Sequence, residues 1–427
     1  MIKNFQISIF NVLNFLLILL LLSSLRNISS IYHFFVVLSF GVLFTRVIIS
    51  YSIASGFIAS IFYIFFFYSM WLVCWSAIYM QSLAFLPGIP RLFLVLVFSF
   101  LVFILVKKEE HFKVMLKIFL FCYVLAALSV IYQIIYGEIS WFADGFVRAR
   151  LDRYASILGS LTIYGSIVGY GLIMVYSTAL VEKKLLLKIL LFFILLSGAF
   201  FSLAKSGIVM IGLSIIIYLV FDFKSIIQRT SFKSLFYLIS FLTIATLILL
   251  QSEEFRTYYN AIVTQTIGSK SILSSGTGVL MDSPSVSIES ITKRLFHWSS
   301  EMLKEYGNIA YITGVGLQGG AGTLGITDNG VDFISAHNAL GDLFFIGGLP
   351  YLLIFLILFF STQLVLFVDK NDQIGRLFFM LNMLLMANAF VASGSFFHPA
   401  ISLPFWISIV YANSKNSFSR IKPLTIK

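Results

Sequence analysis

His337 and Asn338 stand directly before a long apolar run, and Gly347, Gly348 and Pro350 interrupt that run further on. Asp342 lies a turn inside the same run, and an acid within an apolar stretch is a functional candidate by default. A second set of residues is cationic. Arg148, Arg150 and Arg153 share one short stretch, Lys205 sits between two apolar runs, and Lys293 and Arg294 fall inside the longest polar segment. Cations gathered on one face suit an anionic ligand; binding of lipid headgroups is the plain alternative.

The elements that must position these residues are apolar. The chain has 427 residues, of which 59% are hydrophobic and 11% charged, with 47 phenylalanines. A soluble domain carries about 25% charged residues. The composition therefore reads as an all-α, polytopic transmembrane helical bundle. Cys74 and Cys122 both lie in apolar runs, too few and too deep for a disulfide framework or a metal site. The net charge of +11 reads as basic residues flanking the spans, so no nucleic acid partner is expected. The first apolar stretch has no A-x-A-like site after it and reads as a span, not as a cleaved signal.

About twelve spans of near bilayer length are expected, at roughly 6–25, 31–50, 52–80, 90–106, 113–136, 157–181, 185–203, 206–222, 233–250, 337–367, 375–394 and 397–413. The chain then divides into transmembrane helices 1–9 (residues 1–250), a large polar loop (251–336), and helices 10–12 with a tail (337–427). With both termini cytoplasmic, most of the 29 lysines and arginines fall inside, as the positive-inside rule asks. The loops at 137–156 and 251–336 then face outward, which in a bacterium is the periplasm, with the chain multi-pass in the inner membrane.

Within the large loop, 287–306 is amphipathic. Ile288, Ile291, Leu295, Trp298, Met302 and Tyr306 recur at steps of three and four, as in a helix lying along a membrane surface. Arg294, four residues before Trp298, either snorkels or reaches a cavity beneath. Gly314, Gly316 and Gly319 spell G-x-G-x-x-G, but no βαβ unit surrounds them, so a dinucleotide site is rejected. Close passage of the backbone past a helix or ligand is the better reading, and the glycine-rich 319–330 that follows has the character of a lid.

Four stretches in this order resemble the bacterial O-antigen polymerase (Wzy) and O-antigen ligase (WaaL) superfamily of membrane glycosyltransferases. "RYASILGS", 153–160, is similar to the family's R-x-x-G-x-x-G-N-P-N at Arg153 and Gly159, although Ser160, Leu161 and Thr162 replace Asn-Pro-Asn. "SLAKSG", 202–207, resembles T-x-S-R-G, with Lys205 in the arginine's place: the charge is kept and the bidentate fork is lost. Arg294, Trp298, Gly314 and Gly316 match the family's arginine, tryptophan and G-x-G. His337 and Asn338, followed by Gly347 and Gly348, match its His-Asn and paired glycines. The four cover about 150–350, half the chain.

The resemblance implies a GT-C-like fold and a polyprenyl-diphosphate-linked sugar donor used at the periplasmic face, with undecaprenyl-diphosphate-linked oligosaccharide as donor and acceptor. His337 is then the candidate general base for the acceptor hydroxyl, or else a cationic phosphate ligand. Arg294 is the second catalytic candidate. Arg153, Lys205, Arg148, Arg150, Asn338 and Trp298 are expected to bind diphosphate or sugar. No cofactor and no metal are expected; membrane lipid and a chain-length regulator protein are the further partners. A polymerase is favoured over a ligase that transfers glycan to lipid A–core. A lipid-linked oligosaccharide transporter is the reading from another class, against which stands the absence of half-to-half sequence similarity.

Overall fold

The computed structural model describes residues 8–22, 30–50, 55–80, 89–139, 146–148, 151–159, 161–177, 179–181, 185–201, 205–229, 308–314, 316–317, 323–324, 334–335, 338–369, 371–390 and 395–419. The ninth expected span, the amphipathic 287–306, and Arg150, Arg294, Trp298 and His337 lie outside these residues.

The apolar runs are helices, because a helix alone satisfies every backbone group within one apolar segment. In chain order they are α1 (Ile9–Leu21), α2 (Ser30–Ser50), α3 (Phe57–Met80), α4 (Ile89–Leu105), α5 (Glu109–Tyr136), α6 (Leu161–Tyr176), α7 (Leu185–Phe201), α8 (Lys205–Arg229), the single turn α9 (Ala310–Thr313), α10 (Ala339–Val368), α11 (Gln373–Ala389) and α12 (Pro399–Ser419). Among the described residues four stretches are long and apolar enough to cross a membrane: Ile31–Ile48, Phe57–Ser76, Glu109–Tyr136 and Ala339–Val368. Others, such as Ile9–Leu21 and Ile163–Tyr176, are apolar but shorter. The protein is thus membrane-embedded and helical.

The all-α expectation needs one refinement. Two short antiparallel pairs stand between helices: β1 (Phe146–Arg148) with β2 (Leu151–Arg153), and β3 (Thr323–Leu324) with β4 (Ile334–Ser335). Each lets loop backbone satisfy its own polar groups. The sixth expected span also starts later than 157. Ser156 and Gly159 exchange backbone hydrogen bonds of 3.0 Å in each direction, and Gly159 has φ 135°. This closed turn holds Ile157 and Leu158 ahead of α6, with Leu158 buried beneath it.

Glycines set the closest helix approach. A Cβ on Gly169 of α6 would overlap Met210 of α8, and one on Gly207 of α8 would lie 3.5 Å from Gly165 Cα. Small residues four apart allow such backbone contact where lipid offers no hydrophobic driving force. The aromatic core centres on Trp406 of α12, fully buried, beside Phe62, Phe65 and Phe355. Its indole N–H donates to Phe396 O at 3.1 Å.

One end of the bundle is closed by charge. Asp372 caps α11, accepting from Ile374 N at 3.1 Å and Gly375 N at 2.9 Å. The same carboxylate accepts from Tyr411 OH at 2.7 Å and pairs with Lys415 at 3.2 Å. Lys415 also reaches Glu109 at 3.3 Å, so α5, α11 and α12 share one knot. Burial opposes the Lys415 charge, but the hydrogen bond and charge of Asp372, with Glu109, outweigh it and hold the ammonium above its ordinary value of 10.5. Asn413 of α12 reaches across to α3, where its Oδ1 accepts from Ala59 N at 3.3 Å.

Asp372→Ala removes the cap, the ion pair and the tyrosine's acceptor together. We expect it to cost about 2–4 kcal/mol, read as a lowered thermal midpoint in detergent, with Asp372→Asn losing about half as much because the cap survives. A folded lysine value above the unfolded one stabilises below the unfolded value and is lost as pH rises through the folded one. The Lys415 contribution therefore persists through neutral pH and disappears only above about 10.5; a wild-type minus Lys415→Met difference in midpoint that vanished between pH 6 and 8 would contradict this.

Candidate functional site at the Asn338 end

The opposite end begins with the start of α10. Asn338 is the N-cap: its Oδ1 accepts from Leu340 N at 2.9 Å and Gly341 N at 3.4 Å. Asparagine is among the strongest N-cap residues because its carbonyl meets donors the first turn leaves unsatisfied. The cap engages the side-chain carbonyl and leaves the Nδ2 donor for another group. The helix begins at Ala339, and His337 lies outside the described residues. Asp342 lies in that turn, 1% exposed, where the positive end of the helix dipole favours a carboxylate.

Ten residues in, α10 breaks. Gly348 has φ 72° and ψ −171°, a conformation that suits glycine. Pro350 has no N–H, so Ile346 O loses the donor that a helix would supply four residues on. The replacement comes from the large loop, where Gly316 N donates to Ile346 O at 3.0 Å. Beside it, Tyr68 OH of α3 donates to Gly347 O at 3.1 Å. Ser76 of α3 then accepts from Leu317 N at 2.6 Å. A Cβ on Gly314 would overlap Ile346 and Gly347, and one on Gly348 would overlap Ile312. The G-x-G segment thus packs backbone to backbone on the break. Gly314 and Gly316 serve that approach. Within the stretch read as a lid, Thr323 and Leu324 pair with Ser335 and Ile334 beyond it.

Three of the cationic candidates, Arg148, Arg153 and Lys205, belong to elements at the same end. In the β1–β2 hairpin, Phe146 is opposite Arg153 and Arg148 is opposite Leu151. Arg148 and Arg153 thus lie on the two paired strands of one hairpin; Arg150 lies outside the described residues. The hairpin leads through the Ser156–Gly159 turn into α6. Lys205 is the first residue of α8, and the contact of Gly207 with Gly165 sets that start beside the beginning of α6. Ser166 of α6 donates to Asn388 Oδ1 at 3.0 Å, and Asn388 Nδ2 donates to Ser395 at 2.9 Å. This buried relay joins α6 to the end of α11, which runs antiparallel to α10 and so lies on the Asn338 side.

Tyr68, Ser76 and the Ser166–Asn388–Ser395 relay are not legible as site residues in the sequence. Each is one polar side chain in an apolar run, and its partner is up to 279 residues away. Their signal exists only after folding. Asp342 was legible as an acid in an apolar run; its burial beside the cap was not.

Fold and site together define a class: a polytopic helical membrane protein with a polar, loop-covered end and a broken tenth helix. Comparison with known protein families, curated proteins and solved structures gives no match.

The break makes a contrast that can be measured. Gly348→Ala and Gly314→Ala both force a positive-φ position and a backbone overlap, and each is expected to cost at least about 2 kcal/mol. Gly41→Ala and Gly212→Ala meet nothing within 4 Å and should be neutral, or stabilising by up to about 1 kcal/mol through helix propensity. Thermal midpoints of the four variants in one detergent would decide it.

Proposed function

We propose that this chain is a surface-polysaccharide polymerase: a bacterial inner-membrane glycosyltransferase that moves an undecaprenyl-diphosphate-linked glycan onto a lipid-linked repeat unit at the periplasmic face. The observation that carries the reading is the ordered set of motifs from Arg153 to Gly348. The common end of the bundle shared by Arg148, Arg153, Lys205 and Asn338 supports it. The reading includes a GT-C-like bundle of about twelve spans with both termini cytoplasmic.

In the reaction, the acceptor hydroxyl oxygen attacks the anomeric carbon of the donor. The bond from that carbon to the diphosphate oxygen breaks, and undecaprenyl diphosphate leaves with the electron pair. The hydroxyl proton passes to His337. Charge grows on the leaving diphosphate, so cations held ready for it stabilise the transition state more than the ground state. Arg294 and Arg153 supply forks that match phosphate oxygens, and Lys205 supplies a point charge. Asn338, whose Oδ1 caps α10, can offer Nδ2 to a sugar hydroxyl.

A ligase transferring the glycan to lipid A–core uses the same groups. A transporter is the second reading, and the break in α10 is the observation that favours it, since broken helices often coordinate ions or substrates. Here, however, the carbonyls at the break are taken by Gly316 N and Tyr68 OH. They hold the loop in place and are not left open for an ion.

The test is a gel of surface lipopolysaccharide from a strain lacking the gene, rescued with wild type or His337→Ala. A polymerase deletion collapses the ladder to core plus one repeat, and His337→Ala fails to restore it. Loss of all O-antigen, with lipid-linked polymer accumulating, identifies a ligase. An unchanged ladder refutes both. With purified enzyme, Lys205→Ala is expected to lower kcat about 100-fold or more with KM nearly unchanged. Lys205→Arg should keep most of the activity.

A further inference from the structure

The charged end of the bundle holds a second feature. A cavity of about 400 Å³ lies between the start of α1, the end of α2 and the end of α4. This is the size of a small-ligand site. Phe10 and Leu13 from α1 and Ile104 and Leu105 from α4 form its apolar wall, and Arg46 and Lys107 bring two cations to it. No carboxylate lines it. At the same end, Lys415 is neutralised by Asp372 and Glu109, whereas among the described residues Arg46 and Lys107 have no ion-pair partner.

The surroundings narrow the ligand. Two cations call for an anion with phosphate-like charge. The apolar wall calls for a ligand that also carries hydrocarbon. Of the four long apolar helices, the one bringing Arg46 is the most exposed: only 17% of its span is buried, and Val37 and Ile48 are each 69% exposed. Lipid therefore borders the cavity from the side. The position of Arg46, four residues from the end of α2, and of Lys107, just past the end of α4, is the depth at which headgroups meet helix ends. Burial also pushes the Lys107 ammonium below its ordinary value, a cost that an anion in the cavity would offset.

We propose that this cavity holds the headgroup phosphate of an anionic glycerophospholipid, with Arg46 and Lys107 as counter-charges and an acyl chain along Leu13 and Ile104. The assignment needs only a membrane-embedded chain and does not depend on the glycosyltransferase reading. It lies at the opposite end of the bundle from Asn338, so this lipid is a resident one and not the sugar donor.

The test uses the full chain in nonionic detergent, titrated with dioleoylphosphatidylglycerol, with bound lipid counted by native mass spectrometry. Two cations near a headgroup contribute about 1 kcal/mol each, so Arg46→Gln/Lys107→Gln should bind about thirty-fold more weakly. Arg46→Lys/Lys107→Arg should bind as wild type does. Lys113→Gln/Lys117→Gln, which removes the same charge from exposed positions of α5, should also leave binding unchanged. Leu105→Trp, which fills the cavity without changing charge, should block it, so the proposal stays testable if the double glutamine variant does not fold. Undiminished binding in the Arg46/Lys107 glutamine variant would overturn the proposal. So would equal binding of dioleoylphosphatidylcholine, or inorganic phosphate displacing the lipid at millimolar concentration, which would identify a site for phosphate alone.

Discussion

A carbonyl inside an apolar bundle cannot turn to water, and everything at the Asn338 end follows from how α10 meets that constraint. Pro350 withdraws the donor that Ile346 O would have had, and Gly348 turns the chain out of helical geometry. The structure answers with two donors from elsewhere, Gly316 N from the loop and Tyr68 OH from α3. These bonds join three parts of the chain that are far apart in sequence. The first half of α10, carrying Asn338 and Asp342, is thereby held against α3 and the G-x-G segment instead of continuing the axis of its second half. The glycines are needed because any side chain at Gly314 or Gly348 would stand where the partner backbone is.

The two ends of the bundle solve different problems. At one, Asp372 closes the structure by doing several things at once: it caps a helix, accepts from a buried tyrosine and pairs with a lysine. Asp372 and Glu109 match Lys415 there, whereas no carboxylate lines the cavity beside Arg46 and Lys107. At the other end, Arg148 and Arg153 belong to a hairpin that leads into α6, and Lys205 begins a helix set beside α6 by glycine contacts.

Much of this was legible in the residues themselves. The helix over 31–50 was expected and runs Ser30–Ser50, and the apolar run over 90–106 is the helix Ile89–Leu105. Such agreement arises because an unbroken apolar run has one way to satisfy its backbone in lipid. The interruption between two apolar runs near Lys205 was also visible, and α8 begins at that lysine. The hairpin at 146–153 was hidden, because six residues of pairing leave little periodicity. The cap at Asn338 has a local signature, yet the expected span of 337–367 put the helix start two residues early.

By itself the sequence determined the membrane character, the run of helices and the places where cations and glycines interrupt them. These are local matters of hydropathy, helix length and backbone freedom, each readable within a window of some twenty residues. Only the tertiary structure decided which donors repair the break in α10, which helices the glycines bring together, that Ser166 reaches Asn388, and that Arg46 and Lys107 share one cavity. Those contacts join residues tens to hundreds of positions apart. They are chosen by the packing of the whole bundle, in which a single polar atom finds its partner only once all the neighbouring helices are in place.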